Sequence, residues 1–208
     1  MTLLLVRHGQ SAGNASRIIQ GQWDAPLTDL GRHQAEVVAE RLASAGASTL
    51  YTSSLERTRD TAAPIARSTR LEARPLDEWR EYCWGDAQGR TWTEALELWG
   101  RGDPPTLEWG NNQVPGEEGE AVFGARIAEA FTTLLERHVE DTAIVVTHGG
   151  VIIEVVRHVF GIQGYRPVST PTNTSVSTFT LERGVAVIAA YNDASHLRPL
   201  EATAPPPA

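Results

Sequence analysis

Two short stretches of unbroken apolar residues, far apart in the chain, end in the same way. Leu3–Val6 stops at Arg7-His8-Gly9, and Ala143–Val146 stops at Thr147-His148-Gly149-Gly150. A short aliphatic run bounded by Gly reads as a strand buried on both faces, as in a parallel α/β layer. Elsewhere the apolar spacing is helical. Thr28 reads as a helix cap, and Ala35, Val38, Leu42 and Ala45 follow along one face. Ala47–Thr52 predicts a second strand, and Ser53-Ser54 introduces a helix to about Ser68 with Ala62, Ile65 and Ala66 as its apolar side. Leu71–Pro75 predicts a short strand. Thr91 and Glu94 form a capping box for a short helix ending near Gly100. Phe123, Ile127, Ala130, Phe131 and Leu134 mark a helix from about Glu120 to His138, and another runs from about Gly150 to Phe160. Ser175–Leu181 and Val185–Tyr191 read as a hairpin over Glu182-Arg183-Gly184. Ser11–Ile19 reads as polar loop, and Gln20–Pro26 as turn.

Strands alternating with helices predict an α/β fold, a three-layer sandwich whose central sheet is mostly parallel and flanked by helices. Residues 77–119 break the rhythm, carrying five of the six tryptophans together with several Gly and Pro. This stretch reads as a small Trp-rich cap over the sheet edge, its tryptophans serving as cap core more than as a ligand platform. The expected organisation is a single domain over 1–201, with the cap at about 77–119 and a disordered proline-rich tail at 202–208.

Composition narrows the function. The 208 residues are 41% hydrophobic and 21% charged, as in a globular protein with a substantial core. The single cysteine, Cys83, leaves no internal disulfide and no multi-cysteine metal cluster, so a reducing, cytoplasmic setting is the simplest expectation. No apolar run is long enough to span a membrane, and the start enters a strand without the marks of a signal peptide. A net charge of -8 argues against coating nucleic acid. It does not argue against an anionic small substrate, because a few arginines can focus positive potential in a pocket.

Such arginines are present. In open α/β sheets ligands bind outside the carboxyl ends of the strands. Each of the two solid runs therefore delivers a histidine, His8 or His148, to the edge where small molecules are handled. Arg57 falls in the first turn of a predicted helix, where the dipole prefers acids. An arginine beside free N–H groups makes sense if both face an anion.

The order of short motifs resembles the histidine phosphatase superfamily, which includes the cofactor-dependent phosphoglycerate mutases. The resemblance runs through Arg7-His8-Gly9 with Asn14, Gln20-Gly21, Pro26-Leu27-Thr28-Asp29-Leu30-Gly31 with Gln34-Ala35, and Tyr51-Thr52-Ser53-Ser54-Leu55-Glu56-Arg57 with Thr61-Ala62. It continues through Trp79-Arg80-Glu81, Pro115-Gly116-Glu117-Glu118 and Thr147-His148-Gly149-Gly150 to Asn192 and Ser195-His196-Leu197. It implies a phosphoglycerate mutase-like fold and a metal-free, cofactor-free phosphoryl transfer. His8 is then the nucleophile that becomes a phosphohistidine. Arg7, Arg57 and His148, with Asn14, surround the phosphoryl oxygens, the arginines bidentately. Glu81 protonates the leaving alcohol and then takes a proton from water. That task needs a pKa raised toward neutrality, which Trp79, Tyr82 and Trp84 could supply by desolvation. Gln20, the Gly21 amide and Gly149 complete the substrate-binding set. Where the family continues with a Gly-Glu-Trp-Glu-Gly-like run, this chain has Gly85-Asp86-Ala87-Gln88-Gly89, and Glu78 is a nearby competitor for the acid role.

Each residue also has a plainer reading. Asn14 can stabilise a turn. His33, His138 and His158 sit on predicted helices as surface or core residues, Cys83 reads as a packed thiol, and His196 matches the family without a chemical task. Three functions share the constellation: a phosphomonoesterase, a mutase returning the phosphoryl group to another hydroxyl, and an inactive phosphate-binding module. The mutases it resembles carry longer insertions between the shared blocks, which places this chain on the phosphatase branch. No Gly-x-Gly-x-x-Gly follows the first strand, so a dinucleotide enzyme is disfavoured. The expected partner is a small phosphorylated metabolite, and the C-terminal hairpin leaves an edge on which a homodimer can form.

Overall fold

The computed structural model describes residues 1–98, 114–162 and 168–198. Its core is one sheet of six strands in the order β3-β2-β4-β1-β5-β6. These are β1 (Thr2–Arg7), β2 (Thr49–Ser53), β3 (Ala73–Leu76), β4 (Thr142–Thr147), β5 (Val176–Glu182) and β6 (Val185–Asp193). The first four run parallel, whereas β5 and β6 are antiparallel additions at one edge.

The solid apolar runs are explained by the two layers that cover them. Leu3 and Leu5 of β1, with Ala143 and Val145 of β4, pack under α5 (Glu120–Arg137) and α6 (Gly149–Phe160). The alternate residues Leu4, Val6, Ile144 and Val146 pack under α2 (Asp29–Leu42) and α3 (Glu56–Thr69). A strand buried on both sides cannot spare a polar position, hence the loss of alternation. Thr28 caps α2 as the sequence suggests, its hydroxyl accepting from the Gly31 amide at 3.0 Å. Such a cap is worth about 1 kcal/mol.

Two local readings are corrected. Residues 11–19 are not all loop: Ala12–Ala15 form a one-turn helix, α1, closed by a capping box between Ser11 and Asn14. Four residues containing Gly13 leave no periodicity to read. In the hairpin, Glu182 pairs with Val185, so the turn is Arg183-Gly184 alone, at φ of 53° and 81°. Two consecutive positive φ values give the primed turn whose twist suits a two-residue hairpin.

Within 77–119, short 3-10 turns at Asp77–Trp79 and Gly85–Ala87 lead to α4 (Trp92–Leu98). Thr91 and Glu94 exchange the expected capping bonds, the Thr91 amide donating to Glu94 at 2.7 Å and the Glu94 amide to Thr91 at 3.3 Å. Trp79, Tyr82 and Trp84 are buried in the core cluster under α5 and α6, whereas Trp92 is exposed. The remaining cap tryptophans, Trp99 and Trp109, and the 202–208 tail lie outside the described residues. Among the described residues, no helix is long and apolar enough to cross a membrane.

Candidate active site

Register brings the two histidines together. Arg7 pairs with Thr147 across the parallel β1–β4 ladder, so the residues that follow each strand, His8 and His148, emerge side by side. Their rings lie 5.3 Å apart, edge to face, and both are buried. β2 flanks β4 on its other side with Thr52 opposite Val146, so its last residue, Ser53, reaches the same edge. Three neighbouring parallel strands thus deliver Ser53, His148 and Arg7-His8 to one line.

Hydrogen bonds fix the state of His8. Its Nδ1 lies 2.7 Å from the carbonyl of Gly9, which can only accept, so Nδ1 carries the proton. Nε2 is left with its lone pair. Burial, then the nearby Arg57 and Arg7, push the His8 pKa well below the ordinary value, so the ring is neutral at pH 7. His148 is depressed in the same way, first by burial and then by Arg57, His8 and Arg7.

Arg57 is only 1% exposed at the start of α3. Its Nη2 donates to the Gly21 carbonyl at 2.6 Å, and its Nη1 to Asp24 at 3.1 Å and to the Trp23 carbonyl at 3.2 Å. The other oxygen of Asp24 accepts from the Glu56 amide at 2.9 Å, so one carboxylate both caps α3 and aims the arginine. Arg7 donates to the Pro171 carbonyl. Both arginines keep a buried Nε–H with no protein partner. Burial lowers both guanidinium pKa values and Glu81 raises them back; an arginine stays charged regardless. Two cations, Arg57 buried and Arg7 half-buried, with spare donors form an anion site.

Glu81 is held over this site by backbone. Its Oε1 accepts from the Tyr82 amide at 2.9 Å and its Oε2 from the Gly150 amide, in the uncapped first turn of α6, at 3.0 Å. The segment before it is clamped by Arg126 of α5, which donates to the carbonyls of Glu78 and Arg80 at 2.8 and 2.9 Å and to Glu118 at 2.8 and 3.0 Å. Gly150 is constrained by this contact: a Cβ there would lie 2.3 Å from Glu81 Oε1. Because the obstructed atom ends a mobile side chain, Gly150→Ala is expected to fold normally while displacing the carboxylate. Turnover should fall about tenfold to a hundredfold, as for a catalytic group misplaced by an ångström. Steady-state kinetics beside a thermal melt check this; unchanged turnover would reject the placement of Glu81.

A cavity of about 280 Å³ opens at this edge, lined by Arg7, His8, Asn14, Gln20, Gly21, Arg57, Glu81 and Gly149 among others. His148 does not itself line it, and its ring packs edge to face against that of His8. The site residues expected from the sequence therefore converge. Some are committed to structure as well. The Asn14 oxygen accepts from the Ser11 amide at 3.1 Å and from Asn173 at 3.2 Å, so its plainer reading as a turn-former also holds. Ser11 Oγ contacts Gln20 Oε1 at 2.7 Å. Gly21 takes φ +52°, and a Cβ would meet Gln88 Oε1 at 2.4 Å. Glu78 is exposed and does not line the cavity.

Sequence reasoning passed over Ser53, Asp24, Arg126 and the 170–174 loop. That loop supplies Pro171 to Arg7, and Asn173 Nδ2 donates to the His8 carbonyl at 3.0 Å. The unexplained His196 does not line the cavity: Arg41 bonds its Nδ1 at 3.0 Å and Asp193 at 2.5 Å, fastening the C-terminal turn to α2.

Fold and site together define a class: a three-layer α/β protein in which two central strands end in a pair of histidines and Arg7, and helix α3 adds the buried Arg57, at one cavity. The chain belongs to the histidine phosphatase superfamily, branch 1, whose profile matches residues 3–194. It is similar to phosphoglycerate mutase-like protein 4 of Arabidopsis thaliana, 36% identical over 94% of this chain and 86% of that protein. It is also similar to a metal-independent phosphoserine phosphatase of Arabidopsis thaliana, 30% identical over 94% of this chain and 82% of that protein. Among solved structures, a mycobacterial glucosyl-3-phosphoglycerate phosphatase superposes with a TM-score of 0.80 at 25% identity, covering 93% of this chain and 99% of that one.

Proposed function

We propose that this protein is a metal-independent phosphomonoesterase acting through a phosphohistidine at His8 on a small phosphorylated metabolite. The observation that carries the reading is the neutral His8 ring, held by Gly9 so that its free lone pair is on Nε2, near the buried Arg57 and the half-buried Arg7. The lone pair attacks phosphorus in line, and the ester oxygen departs with a proton from Glu81. Arg7 and Arg57 carry the charge spread over the phosphoryl oxygens, with His148 and the Asn14 amide as further donors. Water, deprotonated by Glu81, then attacks the phosphohistidine and releases phosphate. Relatives named as phosphatases support hydrolysis, and relatives named as phosphoglycerate mutases keep transfer to a second hydroxyl as the alternative.

The test is turnover of p-nitrophenyl phosphate by EDTA-treated protein, followed by a panel of phosphorylated metabolites. Release of phosphate at an undiminished rate is expected. Activity only with a bisphosphorylated primer and a phosphoglycerate would make it a mutase, and vanadate binding without any turnover would make it a binding module.

A further inference from the structure

Ser53 was not among the residues expected to work in the site, yet it is buried against His148 at the carboxyl end of β2. Its Oγ lies 2.9 Å from His148 Nε2 and 3.4 Å from the Leu55 amide, while His148 Nδ1 is buried with no partner. Two proton arrangements are open, and counting groups separates them. If Nε2 carried the proton, Ser53 would receive two N–H groups, its own buried O–H would lack an acceptor, and Nδ1 would be a second unpaired atom. If the Ser53 hydroxyl donates to Nε2, it accepts from Leu55 and only one group is left unpaired, the Nδ1–H. A buried polar group without a partner is costly, so the second arrangement, which leaves fewer of them, is favoured.

We infer that Ser53 is a positioning residue: its hydroxyl holds His148 as the Nδ1–H tautomer, so that this histidine serves the site as a neutral hydrogen-bond donor to a bound phosphoryl oxygen. The donor role rests on the phosphatase reading, whereas the tautomer does not. A neutral imidazole has one N–H, and the depressed pKa of His148 keeps it neutral, so the tautomer decides whether the ring can greet an anion or repel it. The charged and titratable groups that act on it are the cations Arg57, Arg7 and Arg126 and the neutral His8, and none of them hydrogen-bonds Nδ1 in the structure.

Nitrogen-15 NMR of histidine-labelled protein tests this, with His148 assigned by its loss in His148→Gln. Wild type should show His148 protonated at Nδ1. Ser53→Ala, which removes one oxygen atom, should shift the ring to Nε2–H or a mixture and weaken vanadate binding about tenfold. Ser53→Thr, if the melt shows it folded, should restore both. His148 protonated at Nε2 in wild type, or a tautomer and vanadate affinity unmoved in Ser53→Ala, overturns the proposal. A Ser53-dependent tautomer in a protein without turnover would instead count against the phosphatase reading and leave the tautomer assignment intact.

Discussion

Replacing His8 with alanine is expected to remove turnover by about 10⁴-fold or more, the scale seen when a covalent nucleophile is deleted, while leaving vanadate binding within reach of wild type. The asymmetry follows from the division of labour in the site. His8 offers its Nε2 lone pair, and little of its ring is engaged elsewhere beyond the 2.7 Å bond to Gly9. Anion binding depends instead on Arg7 and Arg57, whose supports at Pro171, Asp24 and Gly21 do not pass through His8. A second measurement sharpens the claim. Wild type quenched in alkali during turnover of a radiolabelled substrate should carry one base-stable, acid-labile phosphoryl group per chain, and His8→Ala should carry none. Residual activity within tenfold of wild type would transfer the nucleophile's role to water or another residue.

How much of this could be read from the chain depended on what each residue's neighbours demanded. Leu3–Val6 and Ala143–Val146 were legible because both helix layers cover them, and a doubly buried strand tolerates no polar residue. The histidines ending them were legible as chemistry once both runs were placed in one parallel sheet. That they meet around one anion was read through the resemblance, because the linear pattern alone does not say that β4 lies between β2 and β1. Ser53 illustrates the cost. Beside Ser54 it looks like a helix leader, and only the β2–β4 register turns it toward His148. Asp24 hid among turn residues because its partners, Arg57 and the Glu56 amide, lie 33 and 32 positions downstream. Arg126 sat on the polar side of an ordinary amphipathic helix. Glu81 was named through resemblance rather than periodicity, and the structure supplies the physical reason for its neighbours: Gly150 must lack a side chain for the carboxylate to reach its amide.

Glu81→Gln should separate chemistry from binding. Glutamine keeps the size and one acceptor oxygen, so contact with the Tyr82 or Gly150 amide survives and the fold should not change. It cannot give up or take a proton at that position, and loss of a general acid–base group costs about 10²–10⁴-fold in turnover. Affinity should move the other way. Glu81 lies close enough to Arg7 and Arg57 that its ionised form raises both of their pKa values, and in that form its charge offsets part of the potential that attracts an anion. Neutralising it should leave vanadate binding equal to wild type or tighter. Substrate choice then resolves the two half-reactions. p-Nitrophenolate leaves without help, so phosphorylation of His8 stays fast in the variant while attack by water on the phosphohistidine is slow. The expected trace is a burst of about one p-nitrophenol per chain followed by a slow steady state. An alkyl phosphate, whose alkoxide needs the proton, should show no burst and the larger loss. Equal losses for both substrates without a burst, or a parallel loss of vanadate affinity, would remove Glu81 from proton transfer and leave it a role only in shaping the cavity.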